Sequence, residues 1–227
     1  MTKLQSSNSV APKVDGGSQT LARGLLALEI IGSAVEPISV AALSLQLQIH
    51  RSMGYRLVKT LEQSGFVKRD ALGGLSLGAK MAILARGVAK DLVSAAAPEL
   101  SAIAEALEMT AFLVTYDGEA AVTLSSAQPR NLETTLGKKP GSRHAIGQGA
   151  PGKVIQSMLN PEIFPPQPFE VSQNEVIQGI ASIAVPLHLA GAQPAAIAVL
   201  YLPHDVDVSR VVNTLCAAAN RITAMMG

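Results

Sequence analysis

An ordered series of short elements between residues 20 and 77 constrains the fold more than any other feature of this sequence. Apolar residues recur at helical spacing from Thr20 onward, which predicts a first helix. Pro37 ends this helix, because the residue before a proline avoids the helical conformation. Ser39 is a favoured N-cap for a second short helix over residues 40–46, and a third helix over about residues 51–63 follows a tight turn. Two short helices joined by a tight turn predict a helix-turn-helix.

Apolar spacing also predicts which side of each helix packs into the core. Thr20 is expected to cap the first helix. The expected core positions are Leu21, Leu25, Leu28 and Gly32 in the first helix, Val40, Leu43 and Leu47 in the second, and Met53, Leu57, Val58 and Leu61 in the third. The polar side chains of the third helix therefore point away from this core.

A basic hairpin is predicted directly after the third helix. Gly65 suits the position just past a helix end, and residues 66–70 and 75–77 read as two strands joined by a glycine turn. A hairpin in this place is the wing of a winged helix-turn-helix. Lys68 and Arg69 are placed to reach a DNA backbone or minor groove.

The charge distribution favours an anionic partner for the first part of the chain only. Residues 1–90 hold eleven Lys and Arg against five Asp and Glu (+6), whereas residues 91–227 hold seven against twelve (−5). On the third helix, the side chains that suit base edges are His50, Arg51, Ser52 and Tyr55, and those that suit phosphates are Arg56 and Lys59. A solvated face on an ordinary helical bundle would show a similar pattern.

A closely spaced set of motifs runs from residue 21 to residue 78: Leu21-Ala22-Arg23-Gly24-Leu25, Pro37-Ile38-Ser39-Val40, Ser52, Arg56-Leu57, Thr60-Leu61-Glu62, Gly65-Phe66-Val67 and Leu75-Ser76-Leu77-Gly78. With these motifs, residues 20–78 resemble the DNA-binding domain of the isocitrate lyase regulator (IclR) family. The resemblance implies that Arg23, Ser52, Tyr55 and Arg56 lie at or near DNA. The full set of predicted DNA-binding residues is Arg23, Ser39, His50, Arg51, Ser52, Tyr55, Arg56, Lys59, Lys68 and Arg69.

Three residues depart from the family pattern. Gln48 replaces the usual turn glycine and is strained by about 1 kcal/mol or more if the position needs a positive φ. Met53 replaces a common threonine, which removes one polar contact to DNA. Gly54 lies inside the third helix, where it is expected to cost about 1 kcal/mol relative to alanine.

The rest of the chain is predicted to be an α+β domain behind a linker helix. Residues 78–97 have the spacing of one amphipathic helix, assigned as a linker over residues 79–97, and Pro98 is expected to start another helix. The predicted strands cover residues 111–116, 120–125, 180–189 and 195–202, and a final helix runs from Ser209 to about Met225. Antiparallel hairpins flanked by helices indicate the α+β class.

Residues 141–153 and 179–186 resemble the effector loop and the pocket strand of the IclR family, which implies a GAF-like effector domain over residues 98–227. The residues that the resemblance places at the effector are Ala145, Ile146, Gly147, Gln148, Gly149, Ala150, Ser182, Ile183 and Ala184. Between Lys153 and Gly179 the chain is shorter than is usual in the family and proline-rich, so a shortened domain is expected.

The resemblance implies a transcriptional regulator and not an enzyme. Its expected partners are double-stranded DNA with a near-palindromic operator, a small-molecule effector (a small organic acid or an aromatic metabolite) and further copies of the chain in a homodimer or tetramer. No cofactor, metal ion or catalytic residue is expected. The four histidines have no metal-binding spacing, and no nucleophile–base pair suggests an enzyme.

Two alternatives stay open. Residues 147–153 match the first seven positions of a phosphate-binding P-loop, although Val154 stands where the magnesium-binding hydroxyl is needed. The chain could therefore be a nucleotide-binding protein. The departures at Gln48, Met53 and Gly54 leave room for a small-molecule-binding or dimerisation module with a degenerate DNA-binding head.

The first nineteen residues are polar and are predicted to form a disordered tail without an export signal. The longest apolar runs are too short to span a bilayer. A cytoplasmic protein without a membrane partner is therefore expected. Its one cysteine, Cys216, cannot form an internal disulfide.

Overall fold

The computed structural model describes residues 17–130 and 136–226. The chain divides into two compact units, one that reaches Val88 and one that begins at Ala89. Each unit has buried hydrophobic residues of its own. The tail predicted over residues 1–19 lies outside the described residues as far as residue 16, and residue 19 is already helical.

Three helices build most of the first unit: α1 (Gln19–Ser33), α2 (Val40–Gln46) and α3 (Arg51–Gln63). The hydroxyl of Ser39 caps α2 by accepting a hydrogen bond from the N–H of Ala42 at 3.2 Å, as predicted. The predicted cap of α1 is wrong, because Ser18 and not Thr20 accepts the N–H of the first turn, from Leu21.

The buried side of α1 is not the side that the leucine spacing predicts. Leu21 and Leu25 are 62% and 53% exposed. The buried residues of this helix are Gly24, Ala27, Ile30 and Ile31. Apolar residues surround most of α1, so periodicity alone selects the wrong stripe. Met53, predicted to face the core from α3, is also exposed, and Gly54 and Val58 hold the buried positions.

The predicted wing is present as an antiparallel pair of β1 (Val67–Arg69) and β2 (Leu75–Leu77). Gly65 precedes it with φ +77°, the left-handed conformation that commonly ends a helix. Oδ1 of Asp70 closes the hairpin turn by accepting the N–H groups of Leu72 and Gly74 at 2.9 and 2.7 Å.

The predicted linker helix over residues 79–97 is two helices in the structure. α4 (Ala79–Ala85) ends early, and α5 (Lys90–Leu107) begins after Ala89, whose φ is +43°. Pro98, predicted to start a helix, lies inside α5. Buried apolar residues on both sides of this proline pack into the core of the second unit. Their packing stabilises the continuous helix despite the proline.

A six-stranded antiparallel sheet forms the second unit, in agreement with the predicted α+β class. After α5, the elements of this unit are β3 (Thr110–Tyr116), β4 (Ala121–Ala127), β5 (Arg143–His144), α6 (Gly149–Leu159), β6 (Glu170–Gln173), β7 (Ala181–Leu187), β8 (Ala195–Tyr201) and α7 (Val208–Met226). The strand order is β5-β4-β3-β8-β7-β6. The edge strands β5 and β6 have two and four residues, too few for a recognisable period in the sequence.

Alternate residues of the central strands pack on opposite faces of this sheet. Leu113 and Ile183 lie in the core that α5 and α7 cover, whereas Phe112 lies in the core that α6 covers. On the α6 side, the central strands β7 and β8 contribute mainly alanines, among them Ala184 and Ala198. These small side chains leave room for α6 and for the cavity at its N-terminus.

Candidate nucleic-acid interface and ligand cavity

Five polar side chains of α3 share one exposed surface, which we term the α3 face. Its members are Arg51, Ser52, Tyr55, Arg56 and Lys59, and all are exposed. Successive helical residues are about 100° apart, so the five fall within an arc of about 140°. Gly54 and Val58 are buried on the other side of the helix.

Local hydrogen bonds order the N-terminal end of the α3 face. Nδ1 of His50 caps the helix by accepting the N–H of Ser52 at 3.3 Å, and it lies 2.8 Å from the Ser52 hydroxyl. Nη2 of Arg51 donates to the hydroxyl of Tyr55 at 3.3 Å, and its guanidinium lies 5.6 Å from the centre of that ring. Arg51 and Tyr55 therefore stand side by side one turn apart.

The other predicted DNA-binding residues differ in whether other contacts within the protein already engage their side chains. The hydroxyl of Ser39 is used in capping α2. Arg23 is half-buried beside α3, with Nη1 3.5 Å from the sulfur of Met53 and with Nε buried without a hydrogen-bond partner. In the wing, no carboxylate of the described residues pairs with the exposed Lys68.

Arg69 is held by Glu62 at the end of α3. Its Nε and Nη2 donate to the two carboxylate oxygens at 2.9 and 3.2 Å. This hydrogen bonding raises the pKa of Arg69 above its ordinary value. The ion pair connects β1 to α3, a contact that the sequence pattern does not indicate.

Gly54 lets α2 and α3 pack against each other. A Cβ at this position would overlap Oγ of Ser44, which is buried and donates to the carbonyl of Val40 at 2.7 Å. Gly54 therefore has a packing role that its low helix propensity does not indicate. Gln48 has φ +53°, so the turn does require the left-handed conformation for which glycine is the usual residue.

The N-terminus of α6 is closed by side chains from β6, β7 and the loop between them. The N–H of Gly149 donates to Oε2 of Glu175 at 3.0 Å, and that of Ala150 donates to the Ser172 hydroxyl at 2.9 Å. The hydroxyl of Ser182 lies 2.8 Å from that of Ser172 and 3.3 Å from the Ala150 nitrogen. The first amides of α6 are thus already satisfied.

Next to this helix end lies a cavity of about 40 Å³, which we term the α6 cavity. Phe112, Lys138 and His144 line it together with Ser172, Glu175 and Ser182. Burial lowers the pKa of Lys138. Burial, and then the charge of Lys138, lower the pKa of His144 from 6.5 to about 4, so this imidazole is neutral at pH 7.

The predicted effector residues are only partly brought together. Gly149 and Ser182 line the α6 cavity, and Ala150 and Ala184 are buried in the adjoining core. Ile183 packs on the opposite face of the sheet. The remaining predicted residues, Ala145, Ile146, Gly147 and Gln148, lie in the loop before α6 and do not line the cavity. Periodicity gave no signal for Phe112, Lys138 or Glu175, which are distant in sequence.

The geometry does not fit a P-loop. Nζ of Lys153 forms an ion pair with Oε1 of Glu175 at 2.6 Å, and Glu175 also accepts the N–H of Gly149. The surrounding sheet is antiparallel, whereas a P-loop lies in a parallel one.

Within the described residues, no group of three or more His, Cys, Asp and Glu side chains could hold a metal ion. In that same part of the chain, no helix is both long and apolar enough to cross a membrane.

The sequence of the helix-turn-helix in the first unit matches known proteins. The family model of the IclR helix-turn-helix domain matches residues 20–71. The HTH-type transcriptional regulator TtgV of Pseudomonas putida is 29% identical over 105 residues, which cover 46% of this chain and 40% of TtgV. The match therefore spans less than half the length of that relative.

Solved structures share the fold of both units. An IclR transcriptional regulator from Alicyclobacillus acidocaldarius aligns with a TM-score of 0.82 at 20% identity, over 93% of this chain and 100% of that chain. An IclR homologue from Microbacterium hydrocarbonoxydans, complexed with 4-hydroxybenzoate, aligns with a TM-score of 0.78 at 18% identity, over 91% and 98%. Residues 20–71 therefore match the helix-turn-helix domain of the IclR family, and the two units have the fold of solved IclR-type structures.

Proposed function

We propose that this regulator acts as a homodimer that places two α3 faces in successive major grooves of a near-palindromic operator, and that a small organic acid in the α6 cavity modulates its binding. The observation that carries the proposal is the exposed, cationic α3 face beside the hairpin β1–β2. A helix-turn-helix dimer reads two half-sites about 34–36 Å apart, so the two-fold symmetry of the protein appears in its operator.

The α3 face carries both kinds of contact that operator recognition requires. Arg51 and Tyr55 lie in the first turns of α3, from which such helices reach base edges. Arg56 and Lys59 lie on the same face, where they suit the phosphates beside the groove. Phosphate contacts supply affinity for any sequence, and base contacts supply preference.

The effector proposal rests on the α6 cavity and on a relative. The cavity of about 40 Å³ has room for about three water molecules, a size that suits a short organic acid better than an aromatic one. One IclR homologue of the same fold is complexed with 4-hydroxybenzoate, which is also an acid. The effector alters DNA binding to the extent that it prefers one arrangement of the protein over another.

Selection from a random double-stranded DNA library, followed by footprinting, tests the DNA-binding proposal. The wild-type protein should enrich two inverted half-sites whose centres are about one helical turn apart. Arg51→Ala and Tyr55→Ala should each relax the preference at particular bases by about 1–3 kcal/mol.

Arg130→Ala, which removes one exposed cation from the second unit, is the matched control and should keep the wild-type preference. Enrichment of no sequence by the wild-type protein would contradict the proposal. So would an unchanged preference in both α3 variants.

A further inference from the structure

We propose that Lys138 and His144 select a singly charged hydroxy acid in the α6 cavity and that Glu175 excludes doubly charged acids. The proposal rests on the effector function proposed above and names the ligand class and the residues that set it. Two positions for an anion adjoin this cavity, and the protein's own carboxylate fills one of them.

The first anion position is the N-terminus of α6, and Glu175 occupies it. Its Oε2 accepts the N–H of Gly149 at 3.0 Å, and its Oε1 pairs with Nζ of Lys153 at 2.6 Å. A helix N-terminus beside a lysine favours one negative charge. A second carboxylate there would meet the charge of Glu175 and find no free amide on Gly149 or Ala150.

The second anion position is at Lys138. Its backbone is fixed because the Ser126 hydroxyl donates to the Lys138 carbonyl at 2.6 Å. Its ammonium lies 5.5 Å from the centre of the Phe112 ring, and no carboxylate of the described residues pairs with it. A half-buried ammonium beside an aromatic ring binds an anion more strongly than an exposed one, because less water competes.

His144 supplies the second, independent sign of a ligand. The residue is nine-tenths buried, and both of its ring nitrogens are buried without a hydrogen-bond partner. Buried polar atoms without a partner are rare, and an unfilled ligand site is one explanation for them. A neutral imidazole offers one donor and one acceptor, which a hydroxyl group can satisfy together. The ring adjoins Gly149 and Gly152 in the first turn of α6.

Together, the side chains of Lys138, His144 and Glu175 fit a short 2-hydroxy monocarboxylate as the ligand. Its carboxylate would pair with Lys138, and its hydroxyl would bond to His144. Lactate has this chemistry. Propanoate lacks only the hydroxyl, whereas malonate lacks the hydroxyl and carries a second carboxylate in place of the methyl group. Propanoate therefore tests the contact of the hydroxyl, and malonate tests the exclusion of a second charge.

Isothermal titration calorimetry of the full chain without DNA at pH 7 tests the proposal with lactate, propanoate and malonate. The wild-type protein should bind lactate about tenfold more tightly than either of the other two acids. Lys138→Met should weaken lactate binding by about tenfold or more. Lys139→Met, which removes the exposed neighbouring cation, is the control and should leave lactate binding unchanged.

Two further variants separate the residues. His144→Phe should remove the preference for lactate over propanoate while propanoate still binds. Glu175→Gln should raise the affinity for malonate relative to lactate by about tenfold, because the competing charge is gone.

The proposal is wrong if the wild-type protein binds none of the three acids, or if Lys138→Met binds lactate as the wild type does. It is also wrong if Glu175→Gln keeps the wild-type ratio of malonate to lactate affinity. Operator binding is measured on the same preparations. A protein that binds its operator but none of these three acids contradicts this inference and leaves the DNA-binding part of the proposed function standing. One that binds lactate but no DNA contradicts the proposed function.

Discussion

At the scale of single residues, the missing Cβ of Gly54 lets Ser44 of α2 lie close to α3, although glycine is a weak helix former. The leucine spacing of α1 selects Leu21 and Leu25, yet Ala27 and Ile31 are the buried residues. In both cases the deciding fact is which neighbour the helix meets, and a local pattern does not contain that information.

Gly54→Ala should lower the free energy of unfolding, although alanine is the better helix former. The overlap with Ser44 costs about 1–3 kcal/mol, which exceeds the propensity gain of about 1 kcal/mol. Urea denaturation measures the change. Ser44→Ala combined with Gly54→Ala should recover most of the loss, since the overlapping hydroxyl is removed. A single Gly54→Ala variant more stable than the wild type would contradict this packing argument.

His144 should make the protein less stable in mild acid. The unfolded chain takes up a proton on this histidine near pH 6.5, whereas the folded protein does so only near pH 4. The stability due to the neutral buried ring is therefore complete above about pH 6.5. It declines as the pH falls towards 4, by up to about 3 kcal/mol.

Denaturant unfolding of the wild type and of His144→Asn between pH 7 and pH 4 measures this effect. The wild-type free energy of unfolding should fall more steeply, because the variant lacks the titrating ring and shares every other group. Parallel pH profiles would show that His144 does not titrate differently in the folded and unfolded states.

At the scale of elements, capping residues and turns were predictable, and tertiary packing was not. The helices at residues 40–46 and 51–63 were predicted to within a residue, because Ser39 and Gly65 mark their boundaries. The break before α5 and its passage through Pro98 were missed, since packing decides both. The α6 cavity is lined by residues from distant segments of the chain. The sequence therefore predicted only two of these residues, Gly149 and Ser182.

The hairpin β1–β2 should contact DNA through Lys68 and be held in place through Arg69. Lys68→Met should weaken binding to any DNA and reduce the slope of log K against log salt by about one. Arg69→Met should leave that slope unchanged and lower the free energy of unfolding by about 0.2–1 kcal/mol, because its partner is Glu62. Equal slopes for the wild type and Lys68→Met would contradict the division of roles between these cations.

At the scale of the whole molecule, the charge distribution agrees with the proposed roles of the two units. The part of the chain with the α3 face has an excess of cations, and the part with the α6 cavity has an excess of carboxylates. This asymmetry favours an anionic partner for the first unit. It was visible in the sequence, as was the order of elements that makes a winged helix-turn-helix, whereas the identity of the cavity residues required the fold.

The salt dependence of operator binding, measured by fluorescence anisotropy for the wild type, Arg56→Ala and Lys139→Ala, tests most directly whether DNA binds on the α3 face. Arg56→Ala should weaken binding to every sequence and reduce the slope of log K against log salt by about one, because one phosphate contact is lost. Lys139→Ala, which removes a cation from the second unit, should keep the wild-type slope. The same slope and affinity for Arg56→Ala and the wild type, with both variants folded, would place the DNA elsewhere on the protein.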